Sequence, residues 1–424
     1  MAISARLVTF LRDISAEILE AQKPLRVIRV LDWPDEIERE FFARGASVLP
    51  QPSYQVPPGV SDALVAFQAL AQRLRGDNEV ERFLCRTCDS MATAARMLLG
   101  IGTRDFYHQS VELYGRPRGL SSDRRTTNLD LARHFEQVIA GFSPPPSADD
   151  EATLDAEQAA ASLRERFATF FAAQAVKVKL VERLGGTASS TGAEIRLKRD
   201  ARYSPRDVRQ IEVHEGQVHM ATTLNGRAQP VLPFLGMPTP RTTRTQEGLA
   251  VFTEFITGST SHARVRRLCE RTFAIDRAED GASFLDLYRF YRERGHDEHT
   301  SFDCARRVVR GGLVEGGAPF TKDGCYLDGF LRVTNFLRLA LTKGQSQLVR
   351  LLFVGKVAVD DVPLFERLAK EGILAEPIHL PAWARDLSFL TAFMSYTTFL
   401  GRSDLAAEQH RLDDQLARAE ETLD

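Results

Sequence analysis

The feature that most constrains this chain is the stretch at 211–220, I-E-V-H-E-G-Q-V-H-M, which carries His214, Glu215 and His219. Two imidazoles with a carboxylate beside the first are the core of a one-metal hydrolase site. The histidines hold the ion, and the glutamate takes a proton from water. That chemistry needs both rings on one face of one element. On an α-helix, residues four apart lie about 40° apart around the axis, whereas residues five apart lie about 140° apart, too far to chelate one ion. His214 and His219 are five apart. One extra residue absorbed as a π-bulge restores a common face, and Gly216 tolerates such a distorted turn.

Structural zinc takes four protein ligands, whereas catalytic zinc takes three and keeps an open position. A third candidate lies downstream in T-Q-E-G-L-A-V-F-T-E-F at 245–255, where Glu247 opens an apolar helical pattern. Q-E-G-L-A following H-E-G-x-V-H resembles the bacterial QEGLA-motif proteins. It also resembles their animal relatives, the microtubule-associated tyrosine carboxypeptidases, which use H-E-x-x-x-H plus a distal glutamate. The likeness continues into G-G-A-P-F-T-K-D-G-C-Y-L-D-G at 316–329 and back to L-Y-G-R-P at 113–117. It implies a zinc peptidase with Zn²⁺ on His214, His219 and Glu247 and with Glu215 as general base. It favours cleavage near a free C-terminus, with an aromatic residue as one possibility for the residue removed.

The F-T-K-D-x-x-Y part of that likeness supplies further candidates. Tyr326 has a phenol suited to a developing oxyanion, and either Lys322 or Arg310 could take a terminal carboxylate. The loop at 224–243, with four prolines and two glycines, joins the two ligand segments. Phe234 and Leu235 in it are read as a substrate-facing wall, with a rigid brace between helices as the alternative. His262, His296 and His299 are read as surface histidines. Cys85 and Cys88 are read as small buried residues on one helix, with a redox pair as the sharper alternative.

Composition excludes several classes. A net charge of −2 over 424 residues argues against a general nucleic-acid binder. Five cysteines make no disulfide framework. Arg6, Arg12 and Asp13 break the N-terminal apolar pattern, so no signal peptide is expected, and no apolar run is long enough to span a membrane. A cytoplasmic chain is the expectation, with a peptide or protein C-terminus as substrate and the oligomeric state open.

The expected fold is α+β and predominantly helical: a zincin-like metallopeptidase with a small antiparallel sheet. A helical region at 1–147 precedes a catalytic region at 148–402 and a charged helix at 403–424. Alternating residues at 176–181 and 193–198 suggest a hairpin just before the histidines. Ser204, Pro205 and Asp207 give a helix start. Two rival functions remain. One is an aminopeptidase-type enzyme, which would show an acidic pair near the metal rather than Arg or Lys. The other is a metal-binding regulator without turnover, in which Glu215 would have no task.

Overall fold

Apolar residues three and four apart build helix α1 (Ala5–Ala21), which buries Leu11, Ile14 and Ile18. In the computed structural model, which describes residues 5–121, 123–142, 147–172, 176–182, 184–400 and 415, this helix packs on α2 (Val60–Leu74). Residues 26–31, compatible with a strand or a helix start, contain one helical turn, Val27–Val30. The patterns at 78–86 and 88–99 fuse into one helix, α3 (Glu79–Leu99), whose cap Asn78 accepts from Glu81 N. Helices α4 (Arg104–Tyr114), α5 (Asn128–Ala140) and α6 (Ala156–Phe171) follow, the last two opened by capping boxes.

The sheet departs from expectation. Strand β1 (Lys177–Val181) pairs parallel with β3 (Glu194–Lys198), Lys177 opposite Glu194, and not as its hairpin partner. The hairpin is formed by β2 (Ala188–Thr191), antiparallel to β3 across a turn at Gly192, whose φ is +63°. The sheet is therefore mixed, in the order β1-β3-β2, and small. A-S-S-T carries no apolar alternation, so β2 is silent to a hydrophobic pattern. Once β2 occupies one side of β3, β1 can add only at the other.

The next helix, α7, runs without a break through Pro205–Ile211, Glu212–Met220 and Ala221–Arg227. Its start has Ser204 and Asp207 in a reciprocal capping box and Pro205 in the first turn. Then come α8 (Pro240–Ile256), α9 (His262–Glu279), α10 (Phe284–Glu293), α11 (Glu298–Val309) and α12 (Cys325–Thr342). Helices α8 and α12 cross where Gly248 meets Gly329. A Cβ on Gly248 would lie 2.1 Å from the Gly329 carbonyl carbon. The glycine of Q-E-G thus sets how closely α12 approaches Glu247.

The main buried cluster joins Leu11, Phe67 and Phe83 to Phe234, Leu249 and Val333, on both sides of the proline-rich stretch at 142–150. A second cluster packs Leu163, Phe167 and Ile195 against Ile211 and Met220 of α7. Segment 403–424 lies outside the described residues apart from Gln415. Among the described residues, no helix is long and apolar enough to cross a membrane. The chain is thus predominantly helical with a small mixed sheet.

Candidate functional site

The departure from α geometry is larger than one bulge, because all of Glu212–Met220 is π-helical. A π turn takes up roughly one residue more than an α turn, so residues five apart return to one face. His214 and His219 accordingly share a face, their ring centroids 4.8 Å apart and their planes at 84°. Gly216 contributes by packing. A Cβ there would sit 2.2 Å from the Phe167 ring, so its absence lets α6 press against the π segment.

Helix α8 brings Glu247 to the two rings. Its Oε2 lies 3.6 Å from His214 Nε2 and 3.5 Å from His219 Nε2, too far for hydrogen bonds. That oxygen is buried with no hydrogen-bond partner among the described residues. The three donor atoms all lie within 4.8 Å of one another. A tetrahedral zinc ion with bonds of about 2.1 Å would hold its donors about 3.4 Å apart. Two imidazoles and a carboxylate at this spacing fit such an ion, and an ion there would satisfy the orphaned oxygen.

His214 and Glu247 are held from behind. His214 Nδ1 meets Glu254 Oε1 at 2.6 Å, leaving Nε2 toward Glu247. Glu254 is fully buried and receives two hydrogen bonds from Arg264, at 3.0 and 3.1 Å. Burial pushes the Glu254 carboxyl up, but Arg264 and His214 outweigh it and bring its pKa to about 2. Burial likewise opposes a charged His214, yet the surrounding carboxylates raise its pKa to about 10. The pocket electrostatically favours positive charge at this point. Glu247 Oε1 accepts from Lys322 Nζ at 2.9 Å. The His219 carbonyl accepts from Lys356 Nζ at 3.1 Å, and burial lowers that ammonium's pKa to about 8.

Around this core the charges are mostly cationic. Tyr326 stacks beside His214, with Arg271 4.8 Å and Lys322 5.6 Å from its ring centroid. Asp323 accepts from Arg307 at 2.8 and 2.9 Å. Arg310, only 4% exposed, lies over the Phe320 ring and has no ion pair or side-chain hydrogen bond among the described residues. Burial and the neighbouring Arg307 lower its pKa to about 10. Glu215 is half-buried beside His214, and its carboxylate has no hydrogen bond or ion pair among the described residues.

A sequence profile of the microtubule-associated tyrosine carboxypeptidases matches residues 39–402. The chain belongs to this family. Membership implies a carboxypeptidase-like peptidase, consistent with a peptide or protein substrate. No curated protein matches. Among solved structures, one from Colwellia psychrerythraea provisionally named a lipoprotein is similar at 11% identity. It covers 93% of this chain and 76% of that one with a TM-score of 0.38, too low to carry any argument.

Not every candidate reaches the cluster. Phe234 is 2% exposed and stacks on Phe83 in the main core, while Leu235 is equally buried. That part of the loop braces helices and does not face the ligands. His296 pairs with Glu270 at 2.7 Å and His299 with Glu38 at 2.8 Å, and neither joins the metal-type cluster. Cys85 and Cys88 are free thiols on α3, and burial pushes Cys88 up to about 12. Sequence reasoning missed Glu254 and the α9 arginines. Glu254 stands seven residues after Glu247, on the same helical face within an apolar run. Arg264, Arg267 and Arg271 recur at three and four residues, one face of α9. Both signals lie in the sequence.

Proposed function

We propose that this chain is a one-zinc carboxypeptidase of zincin-like catalytic organisation, removing a C-terminal residue from a peptide or protein. The observation that carries the reading is Glu247 Oε2, buried between two imidazole nitrogens without a hydrogen-bond partner among the described residues. His214, His219 and Glu247 would hold the ion. When bound, the ion acts as a Lewis acid toward the scissile carbonyl and acidifies water.

The chain's own residues supply the rest. Glu215, next in sequence to His214 and without a competing partner among the described residues, accepts a proton from the attacking water and returns it to the leaving amine. Glu254 and Arg264 keep His214 in one orientation. The Tyr326 hydroxyl donates to the oxyanion that develops as the carbonyl is attacked. Lys322 is engaged with Glu247 Oε1, so Arg310, which has no ion pair among the described residues, is the better anchor for the substrate's terminal carboxylate. The edge strand β2 packs beside the π segment and offers backbone groups to an extended substrate. An aromatic C-terminal residue is the preferred leaving group, following the tyrosine in the family's name.

The aminopeptidase alternative is disfavoured by charge. It needs acids free to meet an ammonium, and here Glu254 and Asp323 are both bound to arginines. The test is release of the last residue from matched peptides ending in a free carboxylate or an amide. Cleavage restricted to the free acids is expected, and equal cleavage of both would remove the carboxypeptidase assignment.

A further inference from the structure

The L-Y-G-R-P stretch takes no part in the chemistry above. It lines a solvent-open cavity of about 80 Å³ beside the α8–α12 crossing. Three guanidinium groups, those of Arg116, Arg244 and Arg332, line this cavity against one carboxylate, Asp328. Each already meets an acid, at long range. Arg116 donates two 3.4 Å hydrogen bonds to Glu279, and Arg332 lies 3.7 Å from Asp360. Arg244 Nε pairs with Asp328 at 3.3 Å without hydrogen-bond alignment, and that buried nitrogen has no hydrogen-bond partner among the described residues.

Two more polar atoms of the lining lack partners among the described residues, Asn128 Oδ1 and Ser121 Oγ, in residues 5% and 6% exposed. Asn128 donates Nδ2 to the Gly324 carbonyl at 2.9 Å, which leaves Oδ1 as its unused end. Asn128 also begins α5 and Gly324 immediately precedes α12, so two helix N-termini add partial positive charge here. Gly115, at φ +73°, provides the room. A Cβ there would lie 2.4 Å from Arg244 Nη2.

We propose that this cavity binds a phosphate-class oxyanion, inorganic monohydrogen phosphate. Three guanidinium groups, each only loosely held by an acid, and two helix ends offer donors to an anion with more than one charge. Asn128 Oδ1 can only accept, and monohydrogen phosphate carries an O–H that sulfate lacks. The Ser121 hydroxyl donates to another oxygen of the anion. The bound anion links Arg244 of α8, Arg332 of α12 and Arg116 after α4. It therefore braces the crossing that presents Glu247 without touching the metal ligands.

Isothermal titration of the full-length protein, as purified and after chelation, with inorganic phosphate, phenyl phosphate and sulfate tests this. One saturable site is expected in both preparations, with phosphate at least fivefold tighter than sulfate. Phosphate should bind tighter than phenyl phosphate, whose dianion has no O–H for Asn128, and the reverse order would overturn the proposal. Arg244→Gln should weaken phosphate binding at least tenfold, and the more exposed Arg332→Gln should weaken it measurably in a chain that still folds. Asn128→Leu should abolish the preference over sulfate. Absence of saturable heat, equal affinity for phosphate and sulfate, undiminished binding in the arginine variants, or binding only before chelation would each overturn the proposal.

Discussion

Among the described residues, the buried charged groups beside α7 are paired except for one carboxylate oxygen of Glu247, whereas beside α11 the buried Arg310 guanidinium has no ion pair. His214 rests on Glu254, Glu254 on Arg264, and Glu247 Oε1 on Lys322, which leaves Oε2 between two imidazoles. Across the site, Asp323 takes Arg307 in two hydrogen bonds and lies 3.9 Å from Arg271, while Arg310 lies over the Phe320 ring without an ion pair among the described residues. A third network shows what closure looks like: Arg241 and Arg86 both meet the buried Asp361, with nothing left over. A buried acceptor without a donor marks the place of a cation, and a buried cation without an acid marks the place of an anion. In the proposed function these two places are assigned to the metal ion and to the substrate's terminal carboxylate.

The largest expected effect separates chemistry from binding. Glu215→Gln should keep its zinc yet lose about 10²–10⁴-fold in kcat, measured as C-terminal residue released. Unchanged turnover would remove Glu215 as the base. Arg310→Met sharpens the opposite side. Its kcat/KM on free-acid peptides should fall by about 2–3 kcal/mol, roughly 30- to 150-fold. Its melting temperature should hold or rise, because an uncompensated buried charge is removed. A variant that unfolds, or that loses activity equally on amidated peptides, breaks the comparison. Glu254→Gln should weaken zinc binding about 10- to 100-fold in a chelator competition, with Glu215 untouched. Gly248→Ala should cost about 1–3 kcal/mol in denaturant unfolding, since its methyl has no room against Gly329. A neutral result would mean that the crossing can loosen.

Legibility in the sequence followed distance along the chain. The two histidines, Glu215 and the need for a π distortion are local properties of ten residues, and they could be read directly. Glu247 was recognisable because Q-E-G-L-A is a short motif, although its glycine acts through Gly329, some eighty residues away in sequence. Strand β2 was not readable, because A-S-S-T lacks the alternation by which a half-buried strand announces itself. The role of Glu254 was hidden for another reason. An acid in an apolar helix demands a partner, but nothing in α8 alone says that the partners are His214 and Arg264. Phe234 was misplaced by proximity in sequence. A loop joining two ligand helices need not face the ligand, and an apolar ring within it packs where the largest apolar surface is, against Phe83.

The most direct test of the central claim is zinc content after equilibration with the metal and removal of excess, for the parent chain and for Glu247→Ala. The account predicts about one zinc per chain in the parent and its loss in the variant. A parent chain that stays empty, or a variant that retains the full complement, would contradict the convergence of His214, His219 and Glu247 on one ion.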